Sequence, residues 1–111
     1  VDVGYPLLVV QIADVKARGL RSLSDILRAR MGGGAVVLAT VDRDSGKPLL
    51  LAAGGDDAVA AGFDAGAVIR TISPMIGGGG GGKPAMAQAG GNDASGVERA
   101  LAEARSMLGV S

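Results

Sequence analysis

Apolar positions along the chain change period several times, and each change marks an element. Leu7 to Ala13 (LLVVQIA) is a continuous apolar run rich in β-branched residues, the pattern of a buried strand. Leu20, Leu23, Ile26, Leu27 and Met31 then recur at helical spacing, with Arg21, Arg28 and Arg30 between them. Ser22, with Asp25 three residues on, offers a start for this helix; an earlier start near Arg18 is the alternative. Gly32-Gly33-Gly34 stops it.

Ala35 to Val41 and Pro48 to Ala53 are two further apolar runs joined by the polar segment Asp42–Lys47, which reads as a β-hairpin. Gly54-Gly55 ends it, and Asp57 to Ala61 is a short Ala-rich stretch with the length of a helical turn. Asp64 stands at the N-cap of another helix that carries Val68, Ile69 and Ile72 inward, and Pro74 forces that helix to end or kink. After a glycine run, Ala85 to Ala89 is expected as a fourth strand. In the last helix Ser95-Gly96-Val97-Glu98 fits a capping box, and Val97, Ala100, Leu101, Ala104 and Leu108 form its buried stripe. Arg99 and Glu103 can pair on its outer side, and Gly109 ends it. The sum is a β-α-β-β-α-β-α order: an α/β fold with a small mixed sheet of four to five strands and three or more helices packed on it.

Composition narrows the chemistry. The 111 residues suit a single globular domain, residues 1–111, whose core must be aliphatic because there is one Tyr and one Phe. With no Cys and no His, a zinc site built on those ligands is excluded, and so is a Ser-His-Asp or Cys-His nucleophile. No apolar run approaches the ~20 residues of a membrane helix, so no membrane partner is expected. The chain begins at Val1 with no basic segment ahead of its apolar run, which argues against a signal peptide and for a fragment of a longer multidomain chain.

Eleven basic residues balance eleven acidic ones. Their distribution is uneven: Lys16, Arg18, Arg21, Arg28 and Arg30 crowd one segment with only Asp25 against them, either as a cationic contact face or as an ordinary solvated helix face. The second candidate site has almost no side chains. Gly77, Gly78, Gly79, Gly80, Gly81 and Gly82 are followed by Lys83 and Pro84, then by Gln88 and the pair Gly90-Gly91. A flexible linker would usually carry Ser or Thr, and here none interrupts the run. Gly77, Gly82 and Lys83 match half of a phosphate-binding loop, but Pro84 stands where a magnesium-binding Ser or Thr is required. Two readings stay open. The bare backbone could present consecutive amides to an anion, with Lys83 beside them and Gln88 offering an amide to a sugar or base. Alternatively, the glycines only let a strand pack closely over a helix.

The stretch GGGGGGKPAMAQAGGNDASGVERAL, together with the earlier LRSLSDILRARMGGGAVVLATV, resembles the C-terminal domain of bacterial alanyl-tRNA synthetases. The resemblance covers nearly the whole chain. That domain is related to one that follows DHH phosphoesterase cores, where a shorter glycine run is followed by His; Lys83 places this chain on the synthetase side. Ala85 and Asn92 depart from the pattern, which commonly has an acidic residue and a Lys there.

The resemblance implies a tRNA-binding module that contacts the outer corner of alanine tRNA and assists aminoacylation and editing carried out by other domains of a cytoplasmic enzyme. ATP, magnesium and zinc would belong to that parent, with no cofactor and no catalytic site in this segment. The expected nucleic-acid contacts are Gly77 to Gly82, Lys83, Gln88, Gly90 and Gly91, with Arg18, Arg21, Arg28 and Arg30 as a second group. A protein-interaction or dimerisation module of the same enzyme is the alternative, consistent with a homodimer of the parent.

Overall fold

In the computed structural model, residues 3–13 and 15–110 are described, and Val1 lies outside them. Five strands and four helices follow in the order β1 (Leu7–Gln11), α1 (Ala17–Met31), β2 (Ala35–Val41), β3 (Pro48–Gly54), α2 (Asp56–Ala60), α3 (Ala65–Ile72), β4 (Gly79–Lys83), β5 (Met86–Gly90) and α4 (Val97–Met107). The strands form one mixed sheet in the order β1-β2-β3-β5-β4. The β1–β2 pair is parallel, bridged by α1, and every other pair is antiparallel.

The sheet is covered on both faces, which is why its central strand reads as an unbroken apolar run. In β2, Ala35, Val37 and Ala39 point into one core while Val36 and Leu38 point into the other. The larger core lies under α3 and α4, where Val68, Ile69, Ile72, Val97, Ala100, Leu101 and Ala104 meet Leu50, Ala52, Ala87 and Ala89 of the sheet. The smaller one lies under α1, where Leu20 packs on Val36, Leu38, Leu51 and Ala53. The two aromatics, Tyr5 and Phe63, pair edge to face in the larger core with centroids 6.0 Å apart, so neither offers a stacking surface to a ligand.

The expected α/β class, the hairpin of β2 and β3, and the stop of α1 at Gly32 (φ +77°) all stand in the structure. Asp64 caps α3 by accepting from the Ala67 amide at 3.2 Å, and Pro74 turns the chain into a single 3₁₀ turn, Ser73–Ile76. Four local expectations are revised. β1 stops at Gln11 rather than Ala13. Ser22 lies inside α1, which starts at Ala17, so the earlier start is the correct one. Ser95 does not cap α4: the Asp93 carboxylate accepts from both the amide and the hydroxyl of Ser95 and turns the chain through a 3₁₀ turn, Ala94–Gly96, before α4 begins. Arg99–Glu103 is not among the ion pairs of the described residues; those found join Lys16 to Asp42 and Asp44, and Arg28 to Asp25. The larger difference is the glycine run. No strand is expected there from the sequence, and Gly79–Gly82 with Lys83 form one, β4.

Candidate nucleic-acid interface

A strand of four glycines and a lysine has no side-chain pattern to hold it in a sheet. β5 and α3 hold it instead. Its register places Gly79 opposite Gly90, Gly81 opposite Gln88 and Lys83 opposite Met86. The hairpin turn, Pro84-Ala85, is fastened at both residues: the Pro84 carbonyl accepts from the Ala65 amide and the Ala85 carbonyl from the Gly54 amide, each at 2.9 Å.

The glycines are not equivalent. A Cβ on Gly78, Gly80 or Gly82 would collide with the backbone of the strand opposite, meeting the carbonyls of Gly90, Gln88 and Met86 respectively. A Cβ on Gly79 would meet nothing within 4 Å, and one on Gly81 only the side chain of Arg70, at 3.7 Å. Alternate positions therefore require glycine for strand packing, and the positions between them do not. Gly77 precedes the strand in the left-handed region (φ +68°), with the Asn92 side-chain oxygen filling the space beside it.

Antiparallel ladders alternate the direction of their backbone groups. The Gly91 amide donates to Pro48 at 3.1 Å and the Gly54 amide to Ala85, which fixes the phase of the β3–β5 pair. Met86, Gln88 and Gly90 then turn their backbone groups to β4, and Gly80 and Gly82 turn theirs away from β5, to the outer edge of the sheet. The Gly82 carbonyl lies against Gly66 in the first turn of α3. The strand and Lys83 at its end are largely exposed. The close-packing reading of the glycine run therefore holds at Gly78, Gly80 and Gly82, and the strand does not present consecutive amides: only alternate ones, at Gly80 and Gly82, face away from β5.

Two of the separately expected groups meet in space. Arg21 on α1 reaches Gln88 on β5 across 67 positions of sequence, with Nη2 to Oε1 at 3.4 Å. Turned so that its oxygen meets the guanidinium, the Gln88 amide accepts from Nη2 at 3.2 Å and also from Nε. Arg28 lies on nearly the same side of α1, two turns along, and is occupied by Asp25 at 2.8 Å. Arg18 lies near that side, one turn before Arg21, and is exposed. Arg30 falls about 180° round the helix from Arg21 and does not join the others. Gly91 is half-buried where the chain leaves β5.

Between the start of α1 and the β5–β4 end of the sheet lies an open groove of about 230 Å³. Its lining includes Ala17, Leu20, Leu49 and Leu51, with Gly79, Gly90 and Gln88 at the strand side. Sequence reasoning passed over Arg70. Its outward position on α3 is readable from the inward set Val68, Ile69 and Ile72, but its place alongside Gly81 depends on how α3 sits under β4. Among the described residues no cluster of acidic side chains could hold a metal ion, and no helix is long and apolar enough to cross a membrane.

Comparison with known proteins agrees with this arrangement. The chain is 46% identical over 105 residues to an alanine–tRNA ligase of Herpetosiphon aurantiacus and 43% identical over 105 residues to one of Dehalococcoides mccartyi. The match takes in 95% of this chain and 12% of each ligase, so the chain spans about an eighth of those relatives. The crystal structure of the C-Ala domain from Aquifex aeolicus alanyl-tRNA synthetase superposes with a TM-score of 0.79 at 27% identity, covering 94% of this chain and 91% of that one. The model of the DHHA1 domain matches residues 4–109, a span that takes in every strand and helix described above, and the chain therefore belongs to the DHHA1 domain family.

Proposed function

We propose that this chain is the tRNA-binding C-terminal module of an alanyl-tRNA synthetase, touching the outer corner of alanine tRNA while other domains carry out aminoacylation and editing. The single observation that supports it most is the bare edge of β4. The amides of Gly80 and Gly82 face outward, Lys83 ends the strand, and Arg70 lies along it. Phosphate oxygens accept from such amides and are neutralised by the two cations. Arg18 and Arg21 extend the same surface past Gln88. The likeness to alanine–tRNA ligases supplies the partner. On this reading the chain is one unit of a multidomain cytoplasmic enzyme, and ATP, magnesium and zinc serve domains beyond it.

The chain is neutral overall, so the module binds weakly alone and acts through effective concentration within the parent. Lys83→Ala is expected to weaken tRNA binding modestly and to reduce the slope of log K against log salt by about one. Titrations at several salt concentrations read both quantities. An unchanged affinity and slope would remove Lys83 from the contact. Sedimentation with and without tRNA checks the partner: a dimer indifferent to tRNA would favour an assembly role instead.

A further inference from the structure

The groove beside α1 has a chemistry that the strand edge lacks. Leu20, Leu49 and Leu51 give it an aliphatic floor, Gly79 and Gly90 leave one wall without side chains, and Gln88 stands at its polar side. A groove of about 230 Å³ is smaller than the roughly 300–1,000 Å³ of sites that enclose a whole small molecule, and so takes a single ring system. The Gln88 amide oxygen is engaged by the Arg21 guanidinium, which leaves the two amide N–H groups as donors.

We propose that this groove is a nucleobase site, in which Gln88, locked as a donor by Arg21, selects a base edge that offers acceptors. The inference rests on the tRNA reading for its biological partner but not for its chemistry. An unpaired Gln bonds adenine with both a donor and an acceptor, to N7 and N6. With its oxygen taken, Gln88 loses that match and instead suits N7 and O6 of a guanine-type edge, which are both acceptors. Apolar floors and edge hydrogen bonds are the means by which proteins hold unstacked bases. The phosphates flanking such a base would meet Arg18 on one side and the β4 edge on the other.

Nucleosides without phosphate test the groove apart from the charged surface. Inosine carries the same N7 and O6 acceptors as guanosine and dissolves well; adenosine is its counterpart with a donor at N6. Inosine at millimolar concentration should shift the Gln88 side-chain amide and the Gly79 and Gly90 backbone amides saturably in a ¹H–¹⁵N NMR titration, binding about tenfold tighter than adenosine. Arg21→Met frees the Gln88 oxygen and should bring the two nucleosides close to equal affinity. Gly79→Val points a side chain into open space, keeps the strand, and should abolish both sets of shifts. The inference fails if neither nucleoside moves these resonances, or if adenosine binds as well as inosine to the unaltered chain. It fails alone if Gly79→Val binds tRNA as the parent sequence does. If inosine binds as described and tRNA does not bind at all, the groove stands and the tRNA reading falls.

Discussion

Glycine usually weakens a strand, because it adds backbone entropy to the unfolded state and no side chain to the packed one. In β4 the cost is offset at alternate positions by how closely the strand approaches its neighbour. That alternation makes two adjacent substitutions opposite in effect. Gly80→Ala sets a methyl 2.6 Å from the Ala89 Cβ and against the Gln88 carbonyl, so strand or partner must shift. Overpacking of this kind costs about 1–3 kcal/mol. Gly79→Ala meets open space, has no positive φ to strain, and removes unfolded-state freedom, so it is expected to be neutral or to stabilise by about 0.4–1 kcal/mol. Urea unfolding of the two variants measures the difference directly. Equal midpoints would mean that β4 is not held against β5 as described.

Among the elements, the β2–β3 hairpin carries the clearest electrostatic signature. Asp42 accepts from Lys16 Nζ at 2.9–3.0 Å and from the Asp44 amide at 2.9 Å. The Lys16 bond first, and that amide second, hold the Asp42 carboxyl below its ordinary value of 3.8. A carboxyl depressed in the folded state stabilises fully above its unfolded pKa, and that contribution is lost as pH falls through the folded one. Hydrogen bonds to Asp42 and then Asp44 raise Lys16 above its ordinary 10.5, so its share is complete below that pH and lost above it. Lys16 is exposed and Asp42 half-buried, so the pair is screened by solvent on the lysine side and the effect is small. Asp42→Asn keeps an oxygen for the turn amides but ends the ion pair. Its urea midpoint should fall less than that of the unaltered chain between about pH 5 and pH 2. A parallel fall in both would place the acid sensitivity elsewhere. This hairpin and the two main helices were legible in the sequence because their apolar periods are local. β4 was not, since a run without side chains has no period, and its strand form comes from β5 and α3. The Ser95 capping box failed for a related reason: Asp93, two residues earlier, brings a charged acceptor to the same amide. The meeting of Arg21 with Gln88 could be found only after folding, although each residue had been singled out alone.

At the scale of the whole molecule the two edges of the sheet are treated differently, and the difference bears on what the domain does. Exposed strand edges invite pairing with other chains. At the β1 edge Arg105 of α4 donates to the Val9 carbonyl at 2.9 Å, and Val110 packs partly against the same core. The last helix thereby covers the first strand, tying together residues 96 positions apart. At the other edge β4 is exposed, with glycine backbone and a terminal lysine. A protein built to add strands at random would leave both edges alike; this one covers β1 with α4 and leaves β4, with Lys83 at its end, largely exposed. Removing Arg105 tests that asymmetry. Arg105→Ala leaves the Val9 carbonyl without its charged donor in a partly buried setting, a loss of about 1.5–3 kcal/mol. The urea midpoint should drop accordingly, and sedimentation should reveal self-association through the uncovered β1 edge, while tRNA affinity at fixed salt should stay within about twofold because the proposed contact surface lies at the opposite edge of the sheet. A variant that stays monomeric and equally stable would show that Arg105 does not guard β1, and one that loses tRNA binding while still folded would move the interface to this edge of the molecule.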